Sequence, residues 1–353
     1  MASRAVSLFR IRTALLLGLY LCTAPRAIAN QSNSKQRVQL IPQYSAGQVL
    51  RYSIQLRMKT TAQANGPIVD PEGATQFANS ISVVLRLDVL SAAQGKDGTV
   101  RMRATYESVA ASSKSNSYDP DAEALEKQYE KLQGRSIEFT VNPDGKITNV
   151  KGLEDIIADP ARAAEVNQWL SQITLGASVP RKGIAIGEKW SSSQMVAGAP
   201  LDGVVWHSRS TYQSDEPCAV PGAKLDSNAG APNPTPSSPV PQECAIIVTR
   251  VETSQSKGDD RTPDAYKKNG LRTAGEWKST GETLTAISLR TGMVMSVTQS
   301  GTTHMDVTIT AAATGNHVRY TGDTQSEAEI TLLPEATTAD ASKARNASPN
   351  RLK

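Results

Sequence analysis

Three histidines, three cysteines and 34 acidic residues are the raw material for any chemistry beyond that of hydroxyl groups. His207 stands beside Trp206 and His304 beside Met305. In an alternating strand, neighbours point to opposite faces, so a histidine next to a buried residue is expected at the surface. A serine hydrolase would call for a Gly-x-Ser-x-Gly elbow and a zinc peptidase for His-Glu-x-x-His. Neither occurs, and no Cys–His pair accompanies His207, His304 or His317. Asp259, Asp260 and Asp264 cluster in one segment. It lacks the loop glycine and terminal glutamate of a calcium hand, and Arg261, Lys267 and Lys268 neutralise it, so it reads as a solvated loop. Glu123, Glu126 and Glu130 interleave with Lys127 and Lys131, the pattern of i,i+4 pairs on the wet face of a helix. No catalytic, cofactor-binding or metal-ligating residue emerges, and a non-enzymatic role is expected. Only an export signal keeps a hydrolase in view.

Two cysteines, Cys218 and Cys244, bracket the loop 216–243, whose prolines 217, 221, 232, 234, 236, 239 and 241 exclude helix and strand. In an exported chain such a pair is expected to form a disulfide; closing a loop of this length would remove denatured-state entropy worth about 3 kcal/mol. Two free thiols or half of a metal site are the other readings, and no histidine or cysteine at ligand spacing supports the metal. The third cysteine, Cys22, lies in a leader. Arg4, Arg10 and Arg12 precede an apolar run from Thr13 to Cys22, and Ala27-Ile28-Ala29 supplies small residues for cleavage before Asn30. The run is shorter than the ~20 residues a membrane span requires. Leu21 stands where lipoprotein processing would want a small residue. The reading is therefore a signal peptide over 1–29, a periplasmic or extracellular destination, and no integral membrane segment after its removal. The leader also carries the whole formal charge of +4, because it contains four arginines and no acidic residue. A near-neutral mature chain gives no electrostatic case for nucleic acid or an anionic membrane as partner.

The elements that would position these residues are mostly strands. Residues 30–36 are polar and loose. Leu50, Tyr52, Ile54, Leu56 and Met58 alternate with Arg51, Ser53, Gln55, Arg57 and Lys59, so one face of that strand is buried and the other wet. A second run carries Phe77, Ile81, Val83, Leu85, Leu87 and Val89, and a third Val100, Met102, Ala104 and Tyr106, which makes a meander. Asn142-Pro143-Asp144-Gly145 joins a short hairpin. Further strands are read at 204–212, 245–253, 272–289, 293–300, 305–313 and 317–333, the last with an irregularity near Gly322. The helical signals are confined to 119–175. Asp119-Pro120 starts one apolar stripe of Leu125, Tyr129 and Leu132, and Asp159-Pro160 starts another of Ala163, Val166, Leu170 and Ile173. Beyond Pro334 no apolar period remains, and 334–353 reads as a disordered tail. The fold class expected is mainly β (α+β): one domain over 37–333, a long, curved antiparallel sheet or half-barrel with the helical insert 119–175 packed on one face.

Between that insert and the sheet, Tyr52, Ile54, Leu56, Met58, Val166, Trp169, Leu170 and Ile173 are the candidates to line an apolar cavity, with packed core as the competing reading. Met58, Met102, Met293, Met295 and Met305 would suit an adaptable wall or fill a core equally well. In its order of elements the chain resembles the bacterial lipoprotein-carrier half-barrels, and also uncharacterised exported β-rich families with a Gly187-Glu188-Lys189-Trp190 segment and a long terminal hairpin such as 284–300. The resemblance implies an exported, curved sheet that shelters a lipid chain, and transfers no functional residue. The expectation is an exported cell-envelope protein that binds an apolar or lipid-like ligand between sheet and helices. The alternative is an envelope scaffold with a solid core whose Pro-rich loop or strand edges engage a protein partner.

Overall fold

A computed structural model describes residues 37–334 except 68–72, 94–97, 117–125, 128, 144, 154–169, 171–173, 175–178, 197–198, 219–241 and 256–260. Eleven strands form one antiparallel sheet: β1 (Val49–Asn65), β2 (Thr75–Ala92), β3 (Val100–Ser115), β4 (Ser136–Val141), β5 (Ile147–Lys151), β6 (Lys189–Met195), β7 (Val204–Pro217), β8 (Glu243–Gln255), β9 (Leu271–Ser288), β10 (Val294–Ala311) and β11 (His317–Leu332). One short helix, α1 (Asp264–Lys267), packs on β9. The longest strands have 18 residues, so the sheet is roughly 60 Å deep along them.

The strand order is β5-β4-β3-β2-β1-β11-β10-β9-β8-β7-β6. The chain starts in the middle, meanders outward through β5, and resumes at the opposite edge with β6. It then meanders back until β11 pairs with β1 from Tyr52↔Leu332 to Asn65↔Arg319. Residues between Lys151 and Lys189 therefore carry the chain from one edge to the other. Their last turn is tied to the N-terminal segment. Val38 and Ile184 form an isolated bridge, and Arg37 donates to the Gly183 carbonyl at 2.7 Å and to Glu188 at 2.9 Å. Glu188 also accepts the Ala185 N–H at 3.1 Å, and these two bonds hold its carboxyl below the usual range. The Gly187-Glu188-Lys189-Trp190 segment is thus a turn lock at the start of β6. At the turn between β9 and β10, Gly292 has φ +67°, and a Cβ there would collide with the Ile41 carbonyl. Only glycine lets the N-terminal segment cross there.

Three sequence readings need correction. The run at 293–300 and the run at 305–313 are one strand, β10, because Gly301 stays in register with Gly281 and Ser326. The irregularity expected near Gly322 is absent, since β11 pairs continuously through Gly322 with both Ala62 and Met305. The helical insert over 119–175 is not supported. Much of it lies outside the described residues, and the described part is dominated by β4 and β5, with helical backbone only at Glu126, Lys127, Tyr129, Glu130 and Leu170. The β4–β5 hairpin resolves the alternation that the helical signals flank. The leader 1–29, residues 30–36, Trp169, the interior of the Pro-rich loop and the tail beyond 334 also lie outside the described residues.

Charge is segregated between the two faces of this sheet. On one stand the cross-strand pairs Arg51–Glu107, Arg103–Glu138, Arg209–Glu252, Arg250–Glu282 and Arg319–Asp306. His207, His304 and His317 share that side by register. On the other, the described strand residues carry charge only at Asp215 and Glu243, at the tips of β7 and β8. The register makes this visible in rows. Ser208, Val251, Gly281, Gly301, Ser326, Met58, Asn79 and Ser113 lie side by side across eight strands. The next row reads Thr249, Thr283, Gln299, Ala328, Leu56, Ile81 and Ala111.

Candidate functional site

The uncharged face has three zones along the strands. At the end where β1 begins, Tyr52, Ile54, Leu85, Phe139 and Ile330 form a closed apolar cluster with Leu153 and Leu170 from the edge-to-edge connection. An adjoining cluster on β7–β9 joins Tyr212, Ile247 and Ile287 to Leu40 and Ile184. At the opposite end, Trp277, Met305, Val307, Val318 and Tyr320 make a second, smaller cluster with Val196 and Leu201. Between them runs a belt of hydroxyls and glycines. There Thr60 and Thr324 hydroxyls meet at 2.9 Å, Thr303 donates to Ser279 at 2.9 Å, and Ser210 meets Thr249 at 2.8 Å. Cross-strand hydroxyl pairs satisfy one another and need no charge to do so.

The predicted ligand residues divide between these zones. Tyr52, Ile54 and Leu170 come together in the closed cluster, Leu170 only 1% exposed. The Tyr52 hydroxyl donates to the Val294 carbonyl at 3.1 Å, and burial raises its pKa far above that of free tyrosine. Met58 is also buried, at 4% exposure, beside the belt. Leu56 is half-buried. Val166, Trp169 and Ile173 lie outside the described residues. Of the methionines, Met102 and Met293 fill the first cluster, Met305 the second, and Met295 packs on the charged side. On β1 the four residues named from the sequence share one face, with Tyr52, Ile54 and Met58 buried and Leu56 half-buried.

Of the strip beside that core, the sequence reading named Leu56 as a ligand residue but not Ile81 or Phe77. On β1–β3, burial declines along the strands. Val83 and Leu85 are buried, whereas Leu56, Ile81 and Phe77, on the same face, are half-buried. Asn79 and Ser113 border the strip and hydrogen-bond each other at 2.7 Å. Tyr44 and Tyr106, packed at the edge of the closed cluster, are half-buried as well. Burial pushes the Tyr106 hydroxyl up to about 12 and that of Tyr44 higher still. Both remain neutral hydrogen-bonding groups at any physiological pH. The alternation of β2 pointed to this face, but the decline of burial along the strand has no sequence signature.

The titratable groups are arranged otherwise. Ser193 and Ser254 flank the two ring nitrogens of His207 at 2.9 and 2.6 Å, a spacing a nucleophile and its base could share. This chain of hydrogen bonds lies on the exposed, charged side. Glu252, opposite His207 in register, pairs with Arg209 at 2.8 Å, and both ring partners of the imidazole are hydroxyls. A catalytic histidine is oriented by a third group on the far nitrogen. His304 meets Asp323 at 2.8 Å, with both side chains exposed to solvent. Cys218 and Cys244 form a disulfide with Cα atoms 5.0 Å apart. It packs with Ile246, Ala286 and Met295 on the charged side, at the base of the Pro-rich loop. Among the described residues no group of three or more His, Cys, Asp and Glu could hold a metal ion, and no helix is long and apolar enough to cross a membrane.

No family model and no curated protein sequence matches the chain. Among solved structures it is similar to lipovitellin, described for its lipid–protein interactions, with a TM-score of 0.40 and 10% identity over 84% of this chain and 26% of that one. The chain thus spans about a quarter of that protein's length. A second likeness is to DynF from the dynemicin biosynthesis pathway of Micromonospora chersina, with a TM-score of 0.18 and 7% identity over 92% of this chain and 97% of that one. Likeness at this level identifies no family.

Proposed function

We propose that the protein is an exported, non-enzymatic binding protein of the cell envelope that shelters an apolar or lipid-like ligand against the uncharged face of its sheet. The observation that carries this reading is the half-buried strip of Leu56, Ile81 and Phe77, which continues the closed cluster on a face otherwise emptied of charge. Apolar area left partly wet is worth about 25 cal/mol per Å² to any ligand that covers it. The ligand would lie along β1–β3, beside the segment that carries Leu170. A disulfide between Cys218 and Cys244 is at home in an oxidising compartment, which agrees with an export signal over 1–29.

The test is native mass spectrometry of the mature protein purified gently from its own envelope fraction, followed by organic extraction. A stoichiometric apolar adduct is expected, lost in Ile81→Trp, which fills the strip from a half-buried position at the margin of the closed cluster, with an unchanged thermal midpoint showing that the cluster is intact. A bare mass, two hydrogens below that of the reduced chain, would keep the disulfide and overturn ligand carriage in favour of a scaffold.

A further inference from the structure

We propose that the ligand is an uncharged amphiphile of the acylglycerol type, an acyl chain with a hydroxyl-bearing head, and that the face selects against the corresponding anions. The inference rests on the ligand-binding reading above and adds the chemistry of the head group. Its ground is the complementarity of charge. From the half-buried strip, an acyl chain lying on Leu56 and Ile81 reaches the hydroxyl belt four residues along β1, at Thr60, or two along β2, at Asn79. The strand side chains there are neutral donors and acceptors, namely Asn79, Ser113, Thr60 and Thr324, with Tyr106 at the other end of the strip. The charged group beside them is a carboxylate, Glu126, which accepts the Ser113 N–H at 2.8 Å. Among the described strand residues, none of the arginines that neutralise carboxylates is on this side, and the Arg37–Glu188 pair belongs to the turn before β6, away from β1–β3. Arg51, Arg86, Arg103, Arg250 and Arg319 all engage acidic partners across the opposite face.

A carboxylate or phosphate placed in the belt would be desolvated with no cation among the described strand side chains of that face to pair with, which costs far more than burying a hydroxyl that finds a hydroxyl partner. A glycerol head suits the belt because alcohols exchange donor and acceptor roles with Ser and Thr freely. The fully buried Thr and Ser pairs further along β9–β11 extend the same chemistry without offering charge. Electrostatic complementarity of this kind fixes which partner binds more than how tightly it binds.

The test compares three ligands with one oleoyl chain: 1-monooleoylglycerol, oleate, and 1-oleoyl lysophosphatidylglycerol, each titrated into the delipidated full mature protein at neutral pH. Monooleoylglycerol is expected to bind at least tenfold more tightly than either anion. In Ile81→Lys, which sets a cation at a half-exposed position of the strip, that preference is expected to shrink or reverse, with oleate gaining most. Circular dichroism and retained monooleoylglycerol binding establish that the variant is folded. Equal affinity for all three in the wild type would overturn the selectivity while leaving ligand binding intact. Absence of binding by all three, from a protein that also carries no extracted adduct, would remove the binding reading itself. A preference unchanged by Ile81→Lys would overturn the placement of the head group near this strip.

Discussion

The two meanders that share the uncharged face build it from different residues. On β1–β4 it reads Tyr52, Ile54, Val83, Leu85, Leu87, Met102, Ile137 and Phe139, all buried in one cluster. Midway along β8–β10 the same face reads Thr249, Ser279, Gly281, Thr283, Gln299, Gly301 and Thr303. Over these stretches only the first supplies large apolar area, since the apolar groups of the second meander gather towards its strand ends, Ile247 with Ile287 and Trp277 with Met305. Burial of side chains such as Leu and Phe contributes about 2–3 kcal/mol each, whereas a hydroxyl pair contributes about 1 kcal/mol net. The first meander is therefore expected to hold the fold thermodynamically, while the second supplies a smooth, neutral surface whose bonds fix register.

Truncation should expose that division most strongly. Phe139→Ala removes a ring at 2% exposure from the centre of the first meander. It is expected to lower stability by about 3–5 kcal/mol, read from denaturant midpoints. Thr283→Ala, in the corresponding belt, should cost less than about 1 kcal/mol. Equal losses at the two sites would erase the distinction between a core half and a surface half.

Much of this division was legible in sequence. The alternation of Tyr52, Ile54, Leu56 and Met58 with Arg51, Ser53, Gln55 and Arg57 fixed the faces of β1, and the same period fixed β2 and β3. His304 was placed opposite Met305, and His304 is exposed while Met305 is buried. The pairing of Cys218 with Cys244 followed from the Pro-rich loop between them. Other features were hidden for physical reasons. Strand pairing is set by long-range register, so nothing local in Ser300-Gly301-Thr302 shows whether a strand breaks or continues there. It continues because Gly281 stands opposite. The helical stripes at 119–175 were read from the start signals Asp119-Pro120 and Asp159-Pro160 and from period, both local preferences, and the described residues there carry helical backbone only at Glu126, Lys127, Tyr129, Glu130 and Leu170. The hydroxyl belt was the least visible, since Thr and Ser on a strand read as a wet face. Alternation puts Ser279 on the face of Trp277 and Thr303 on that of Met305, but only the ladders bring both into one row with Thr324 and Thr60.

The belt offers a finer test of how the second meander is held. Thr303 donates to Ser279 at 2.9 Å, and the Ser279 N–H donates to the Thr253 hydroxyl at 2.6 Å, so three strands share one chain of bonds. Thr303→Val keeps the shape and removes the donor, at an expected cost of about 1 kcal/mol. Ser279→Ala should cost a similar amount, and the double variant less than the sum, with a coupling of about 0.5–1 kcal/mol in a double-mutant cycle. Additivity of the two would mean that the hydroxyls are satisfied independently and that the belt does not fix register.

The smallest effect expected lies on the charged face. Arg319 holds Asp306 through two bonds at 2.8 and 2.6 Å, and the guanidinium keeps that carboxyl below its ordinary value. A carboxyl whose pKa is depressed by folding adds stability above its unfolded pKa of about 3.9, and loses it as pH falls through the folded value. Arg319→Ala should therefore cost a little stability at neutral pH, and variant and wild type should converge in acid, where Asp306 is protonated in both. The pair is solvent-exposed, so added salt should shrink the neutral-pH difference further. A deficit that persists unchanged at low pH and high salt would show that Arg319 acts through its aliphatic stem on the strand below rather than through charge. The segregation of charge between the two faces would then owe less to ion pairing than to what the opposite face must exclude.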